Sequence, residues 1–360
     1  MIQTSLFVSI VQFIIVLGFL MICHELGHFL VARFFKVEIE EFGIGIPPRI
    51  IGKKFGGVIF SLNAIPFGAF VRPKGENDPT VPGGLAAASP WVRLAVLFGG
   101  PIMNLLVGFI VFVILFARVG MPDTKVVEIM DIAPSSPAES AGMLAGDTVV
   151  SVNGVAITST DQIHSLIQGQ KGTPITMVLL RNGQTVTISV TPRVTPPEGE
   201  GPVGFVMGNP FHPIPWYEAL PTAGVAMFEQ AKQLVLLPGR LIQGTIPSDQ
   251  ARVVGPKGIF DIYQAARSSD LKAESSPVSL PPVNVLSFIG TISVALGLTN
   301  LLPIPALDGG RIIFIIPELL FRKRVPAKYE NIVHSVGMLS LLAFMVFITI
   351  QDFINPIKIP

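Results

Sequence analysis

The chain reads as a polytopic α-helical membrane protein. It should have about four transmembrane helices, a membrane-associated β-hairpin over 38–73, and one extracytoplasmic α+β domain over 122–194. Three observations carry this. Half of the 360 residues are hydrophobic and only 14% are charged, whereas soluble domains run near 25% charged. With a mean hydropathy of +0.63, there is too little charge to coat a water-soluble body of this size. Four stretches are long enough and apolar enough to cross a bilayer, which takes about 20 helical residues. Lys and Arg are concentrated in alternate loops, which orients those stretches. The 25 Lys+Arg against 24 Asp+Glu leave a net charge of +1, so no nucleic-acid partner is expected. A single cysteine, Cys23, excludes an intramolecular disulfide and any multi-cysteine metal site.

The first stretch is uncharged over 1–23. A signal peptide is not expected there: no basic residue precedes the apolar run and no small-residue cleavage site follows it. The other stretches cover 94–117, 283–307 and about 331–351. The loop after the first carries Arg33, Lys36, Arg49, Lys53, Lys54, Arg72, Lys74 and Arg93; the loop after the third carries Arg311, Arg322, Lys323, Arg324 and Lys328. Both should be cytoplasmic, leaving 118–282 outside. The segment 38–73 alternates like strands, is broken by Pro66 and Gly68, and is too apolar for an ordinary cytoplasmic loop. It predicts a hairpin dipping toward the membrane, where irregular backbone must be covered by protein or face a cavity.

Residues 122–194 alternate strand and helix patterns, with an Asn153-Gly154 turn and a hairpin around Arg181-Asn182-Gly183. The run S-P-A-E-S-A-G-M-L-A-G-D-T-V-V-S-V-N-G over 136–154 resembles the bacterial form of the PDZ domain. That resemblance implies a peptide or partner added at a sheet edge beside a helix; the alternative is a spacer. Residues 195–210 are rich in Pro and Gly and read as a linker. Residues 216–243 follow a helical pattern but carry Glu218, Glu229, Lys232 and Arg240, which predicts an interfacial amphipathic helix rather than a span. The stretch 246–282 is polar and is expected to be partly mobile.

The chemistry concentrates at His24-Glu25-Leu26-Gly27-His28, an H-E-x-x-H. On a helix the two histidines, four apart, share a face and can hold one Zn²⁺, with Glu25 beside it as general base. Ionisable groups closing an apolar span are costly and therefore point to function. Catalytic zinc takes three protein ligands. His164 and His212 fall in the outer segments. His334, at the start of the fourth stretch, is one candidate for the third ligand. The better one is the carboxylate of Asp308, which ends the third stretch in N-L-L-P-I-P-A-L-D-G-G over 300–310, where two prolines stop a regular helix.

Taken in order, the H-E-L-G-H of the first span, the G-P-x-x-N at Gly100-Pro101-Ile102-Met103-Asn104, the PDZ-like segment and N-x-x-P-x-P-x-L-D-G-G resemble the bacterial branch of the site-2 protease family. The resemblance implies an intramembrane zinc metalloendopeptidase. His24, His28 and Asp308 match the zinc ligands, Glu25 the catalytic base, and Asn300 and Asn104 substrate-binding positions. It further implies single-pass membrane proteins as substrates, in regulated intramembrane proteolysis or signal-peptide remnant clearance. The protein would contact membrane lipids in a bacterial plasma membrane, its site facing the cytoplasm. The hairpin edge would hold an unwound substrate strand, and the PDZ-like domain would gate admission. Two alternatives stand beside this: another membrane-bound zincin acting on soluble or lipid-modified peptides, and a PDZ-bearing membrane scaffold without protease activity.

Overall fold

The computed structural model describes residues 2–197, 199–244, 253–275 and 283–357. The chain divides into two compact units: Met1–Val113, Leu220–Asp270 and Val283–Pro360 form one, and Ile114–Ala219 with Leu271–Pro282 form the other.

In the first unit, α1 (Ile2–Phe34) meets no acidic residue before Glu25 and ends where Lys36 turns left-handed (φ 60°). Strands β1 (Ile39–Phe55) and β2 (Val58–Pro73) follow, joined at Gly56-Gly57, both with positive φ. The sequence predicts one hairpin, but the strands fold back on themselves. Glu41, Phe42, Gly43 and Ile44 each have two partners, Arg72 to Ala69 on one side and Ile59 to Leu62 on the other. Residues 51–55 then border 58–62. The result is a curled sheet whose stretch at 69–73 is a free edge. A buried carboxylate pins the curl. Glu41 accepts Arg49 Nε and Nη2 (3.0 and 2.6 Å), Ser61 Oγ (2.6 Å) and Arg72 Nη1 (3.2 Å). An unpaired acid in this apolar setting would be costly, so these partners are what permit it. Helix α2 (Pro90–Val119) starts on a proline, whose missing N–H costs nothing there. It crosses α1 where a Cβ on Gly27 would stand 2.1 Å from Gly99 O. Glycine on both sides lets the two backbones touch.

In the second unit the chain runs through β3 (Met121–Pro122), β4 (Glu128–Ile132), α3 (Pro137–Ser140), β5 (Thr148–Val152), β6 (Val155–Ala156), α4 (Thr160–Gln168), β7 (Ile175–Arg181), β8 (Gln184–Val190), β9 (Phe205–Gly208) and β10 (Phe211–His212). The sheet order is β8-β7-β5-β4-β9, with β6 on β5. Ser136 and Ser159 cap α3 and α4, accepting the N–H groups of Glu139 and Gln162. Alternate sheet residues Ile175, Met177 and Leu179 meet Ile129 and Ile163 in a buried apolar core. The PDZ-like sheet does not stop at residue 194: β9 lies in the segment read as a linker and pairs with β4. Its four residues follow Gly204, at φ 81°, and end on Gly208, so composition masked a strand that the pairing with β4 stabilises.

Returning to the first unit, α5 (Trp216–Ile242) carries Pro221 and Pro238. Helix α6 (Pro256–Ser275) lies within the stretch expected to be mobile; residues 245–252 and 276–282 of that region are outside the described residues. Asp352 accepts the N–H groups of Gly255 and Gly258 at the start of α6 (3.0 and 2.9 Å). Tyr263 and Phe260 pack on Phe13 of α1. Asp270 accepts the N–H groups of Asn284 and Val285 (both 2.9 Å) at the start of α7 (Asn284–Asn300). Helix α8 (Asp308–Phe321) and α9 (Ala327–Ile354) complete the unit. Among the described residues, three helices are long and apolar enough to cross a membrane, within Leu6–Phe34, Pro90–Val119 and Ala327–Ile354; α7 is shorter. Its 17 residues reach only about 25 Å at ~1.5 Å per residue, against a ~30 Å hydrocarbon core. The expected third stretch is thus a broken helix that yields to a loop over 301–307.

Candidate metal centre

Three ligand-type atoms converge at the crossing of α1 and α2. His24 Nε2 and His28 Nε2 stand 3.2 Å apart. Each faces Asp308 Oδ2, at 3.1 and 3.4 Å respectively. Among the described residues this is the one group of three or more His, Cys, Asp or Glu able to share an ion. Tetrahedral coordination at ~2.05 Å sets ligand atoms ~3.3 Å apart, which these three edges match. Asp308 Oδ2 is buried and has no hydrogen-bond donor of its own. His28 Nδ1 donates to Val96 O (2.7 Å), so its Nε2 presents a lone pair. Lone pairs converging without a cation would repel; the donor set fits zinc.

Local structure explains the convergence. The histidines share a face of α1 because they are four apart. Gly100 of α2 lies against them: a Cβ there would stand 2.3 Å from His28 Nε2 and 2.7 Å from His24 Nε2. Asp308 opens α8, where a helix N-terminus favours negative charge. The two glycines after it press on the loop, since a Cβ on Gly309 would meet Leu302 O at 2.2 Å and one on Gly310 would meet Ile304 O at 2.3 Å.

The other expected site residues separate into groups. Glu25 lines a cavity of ≈ 290 Å³ with the three ligands and Asn300, and its Oε2 accepts the Val71 N–H at 2.9 Å. Val71 lies in the free edge of β2, so the sheet touches the expected general base. Asn300 also lines the cavity and donates to Leu296 O (3.0 Å). Asn104 does not line that cavity. It is 1% exposed, with Nδ2 3.2 Å from His24 Nδ1. A half-turn of its amide offers the oxygen instead, which accepts Nδ1–H and leaves the His24 Nε2 lone pair for a metal. In this structure it lies behind His24. Ser293 of α7 fastens that part of α2 by donating to Asn104 O (2.7 Å). His334 is no ligand here: its Nδ1 accepts the Ala306 N–H at 3.0 Å. Cys23 is outside the cluster. Sequence reasoning missed Val96, Gly100 and Val71. Only Gly100 had a signal, inside the G-P-x-x-N run; the other two act through backbone atoms.

The profile of Peptidase family M50 matches residues 12–344, and the chain belongs to that family. It is 32% identical over 343 residues to "Putative zinc metalloprotease CPE1693" of Clostridium perfringens, covering 94% of this chain and 96% of that one. It is 30% identical over 349 residues to "Putative zinc metalloprotease Cj1068" of Campylobacter jejuni, covering 94% and 91%. A solved PDZ domain of an SdrC-like protein from Listeria monocytogenes aligns with 22% of this chain and 85% of that one, at 18% identity and a TM-score of 0.21. The protein is accordingly a zinc-dependent metalloendopeptidase and an integral membrane protein. The scaffold alternative is set aside.

Proposed function

We propose that the protein hydrolyses peptide bonds within the membrane-embedded segments of single-pass membrane proteins. The observation that carries this is the three-ligand cluster itself, built on an apolar helix of spanning length. His24, His28 and Asp308 would hold the zinc. When bound, the metal supplies Lewis acidity for the scissile carbonyl and the attacking water. Glu25 takes the water's proton. The Val71 N–H on its Oε2 orients the carboxylate, which then hands the proton to the leaving amine. Asn300 lines the cavity, which supports a role in donating to the carbonyl oxygen of the substrate. Val96 O keeps the His28 imidazole in the tautomer that leaves Nε2 free, and Asn104, with its amide turned so that the oxygen faces His24 Nδ1, would do the same for His24.

A helical substrate hides its carbonyls in its own hydrogen bonds and has to unwind before cleavage. The edge at 69–73 borders the cavity through Val71 and Phe70, which supports its role as the strand that receives the unwound segment. The basic loops, and the tethering of α6 to the starts of α1 and α7 and the end of α9, support a multi-pass chain with its site toward the cytoplasm. The bacterial sources of its relatives favour a bacterial plasma membrane. The PDZ-like domain would lie outside, and β9, an outer strand of its sheet, would take an extended peptide. Candidate substrates are membrane-tethered regulators and signal-peptide remnants.

Glu25→Gln tests the mechanism. The variant should keep wild-type zinc per chain by elemental analysis and lose cleavage of a single-span reporter by about 10²–10⁴-fold. Rapid cleavage by the Gln protein would refute the base assignment. Mass spectrometry of the wild-type products should map the cut inside the apolar span; cuts confined to soluble flanks would refute the intramembrane reading.

A further inference from the structure

The carboxylate ligand opens α8, but the loop before it is held from α9, which supplies no ligand. Ala306, two residues ahead of Asp308, is left-handed at φ 79°, a conformation unfavourable for a residue with a Cβ. Its N–H donates to His334 Nδ1 at 3.0 Å. One turn further along α9, Gly337 lies against Pro305: a Cβ there would come within 2.2 Å of Pro305 Cβ and 3.1 Å of its carbonyl carbon. Positions three apart share a helix face, so His334 and Gly337 form one cradle for Pro305 and Ala306. The His334 ring also meets Phe314 of α8 at a centroid distance of 5.6 Å, so it touches both sides of Asp308 along the chain.

We propose that His334 is a positioning residue for the metal centre: its Nδ1 holds Ala306 in the left-handed turn that aims the Asp308 carboxylate at His24 and His28. Pro303 and Pro305 have no N–H to offer a neighbour, so Ala306 is one of the few donors by which this loop can be fixed. The proposal rests on the reading of Asp308 as a metal ligand.

The test uses the full-length protein in detergent as wild type, His334→Leu, His334→Gln, His334→Asn, Gly337→Ala and Asp308→Ala. Zinc affinity is measured by chelator competition, and hydrogen exchange across 301–308 is followed in metal-free protein. His334→Leu and Gly337→Ala should weaken zinc binding by about tenfold or more and speed exchange of the loop. His334→Asn, whose oxygen stands near the place of Nδ1, should restore most of both. His334→Gln, whose acceptor reaches the place of Nε2, should not, and it replaces the Leu variant if that one fails to fold. Wild-type affinity and exchange in the Leu and Gln variants would overturn the proposal, as would an Asn variant no better than Gln. If Asp308→Ala keeps wild-type zinc affinity, the metal-centre reading fails instead; loop exchange in the metal-free His334 variants then still decides whether His334 holds Ala306.

Discussion

At the scale of single residues, the centre depends as much on what is small as on what is reactive. His24, Glu25 and His28 announce themselves by spacing and by the expense of placing them in an apolar helix. Gly100 does not, yet its missing side chain leaves room for both imidazoles. Gly100→Ala should therefore lower zinc per chain by about tenfold or more, measured by elemental analysis of the purified protein. Thermal stability of the metal-free form should not rise: Ala favours helix over Gly by about 1 kcal/mol, but its Cβ would have to displace both imidazoles. A variant with full zinc content would show that the glycine serves only helix packing. Asn104 illustrates the reverse case. Its place in a motif was legible, but its burial behind His24 was not, because a buried amide and one lining a cavity look identical in one dimension.

Among the elements, the β-rich loop and the PDZ-like sheet are each closed by a buried acid. Glu41 gathers Arg49, Ser61 and Arg72 from separate stretches of β1 and β2, and so sets the edge that meets Glu25. In the second unit, Asp147 accepts Arg181 Nε and Nη2 (both 2.7 Å) and the Leu144 N–H (2.9 Å). Burial pushes the Asp147 carboxyl up, but these donors and the Arg181 charge outweigh it and hold its pKa below the usual range. The folded pKa is thus below the unfolded value of about 3.9. The stabilisation should be fully present above about pH 4 and fall away as pH drops through the folded pKa. Limited proteolysis of the full-length protein from pH 7 to pH 3 should show 122–212 becoming susceptible only at the acid end. Asp147→Asn should lose about 2 kcal/mol already at neutral pH and flatten the acid dependence of that segment. An unchanged profile in the Asp147→Asn variant would disprove the assignment.

On the scale of the whole molecule, the boundary of the outer domain matters for how it can be removed. The sheet takes β9 from 205–208, and β3 pairs with β10 through Met121–His212 and Pro122–Phe211, so the two ends of the domain lie side by side. Excising 122–194 would strand β9, whereas excising 121–212 behind a short linker should leave an expressed, zinc-loaded protease. If the domain gates admission, that shortened protein should cleave untrimmed membrane substrates that the intact protein spares, as judged by comparing both on paired reporters. Equal discrimination would rule gating out.

Composition and basic-residue asymmetry were enough to announce a membrane protein, since water and lipid sort side chains by local chemistry alone. H-E-x-x-H was enough to announce the metal, because one helical turn fixes the relation of its two histidines. The double pairing within β1 and β2, the strand at 205–208 and the helix at 256–275 were not legible. Each is stabilised by partners far along the chain, such as Asp352 for α6 or β4 for β9. Above all, the union of Asp308 with His24 and His28 joins positions far apart in the sequence. A local pattern can nominate a lone carboxylate, but only glycine-lined helix crossings and a loop braced by α9 can bring it within 3.4 Å of the imidazoles.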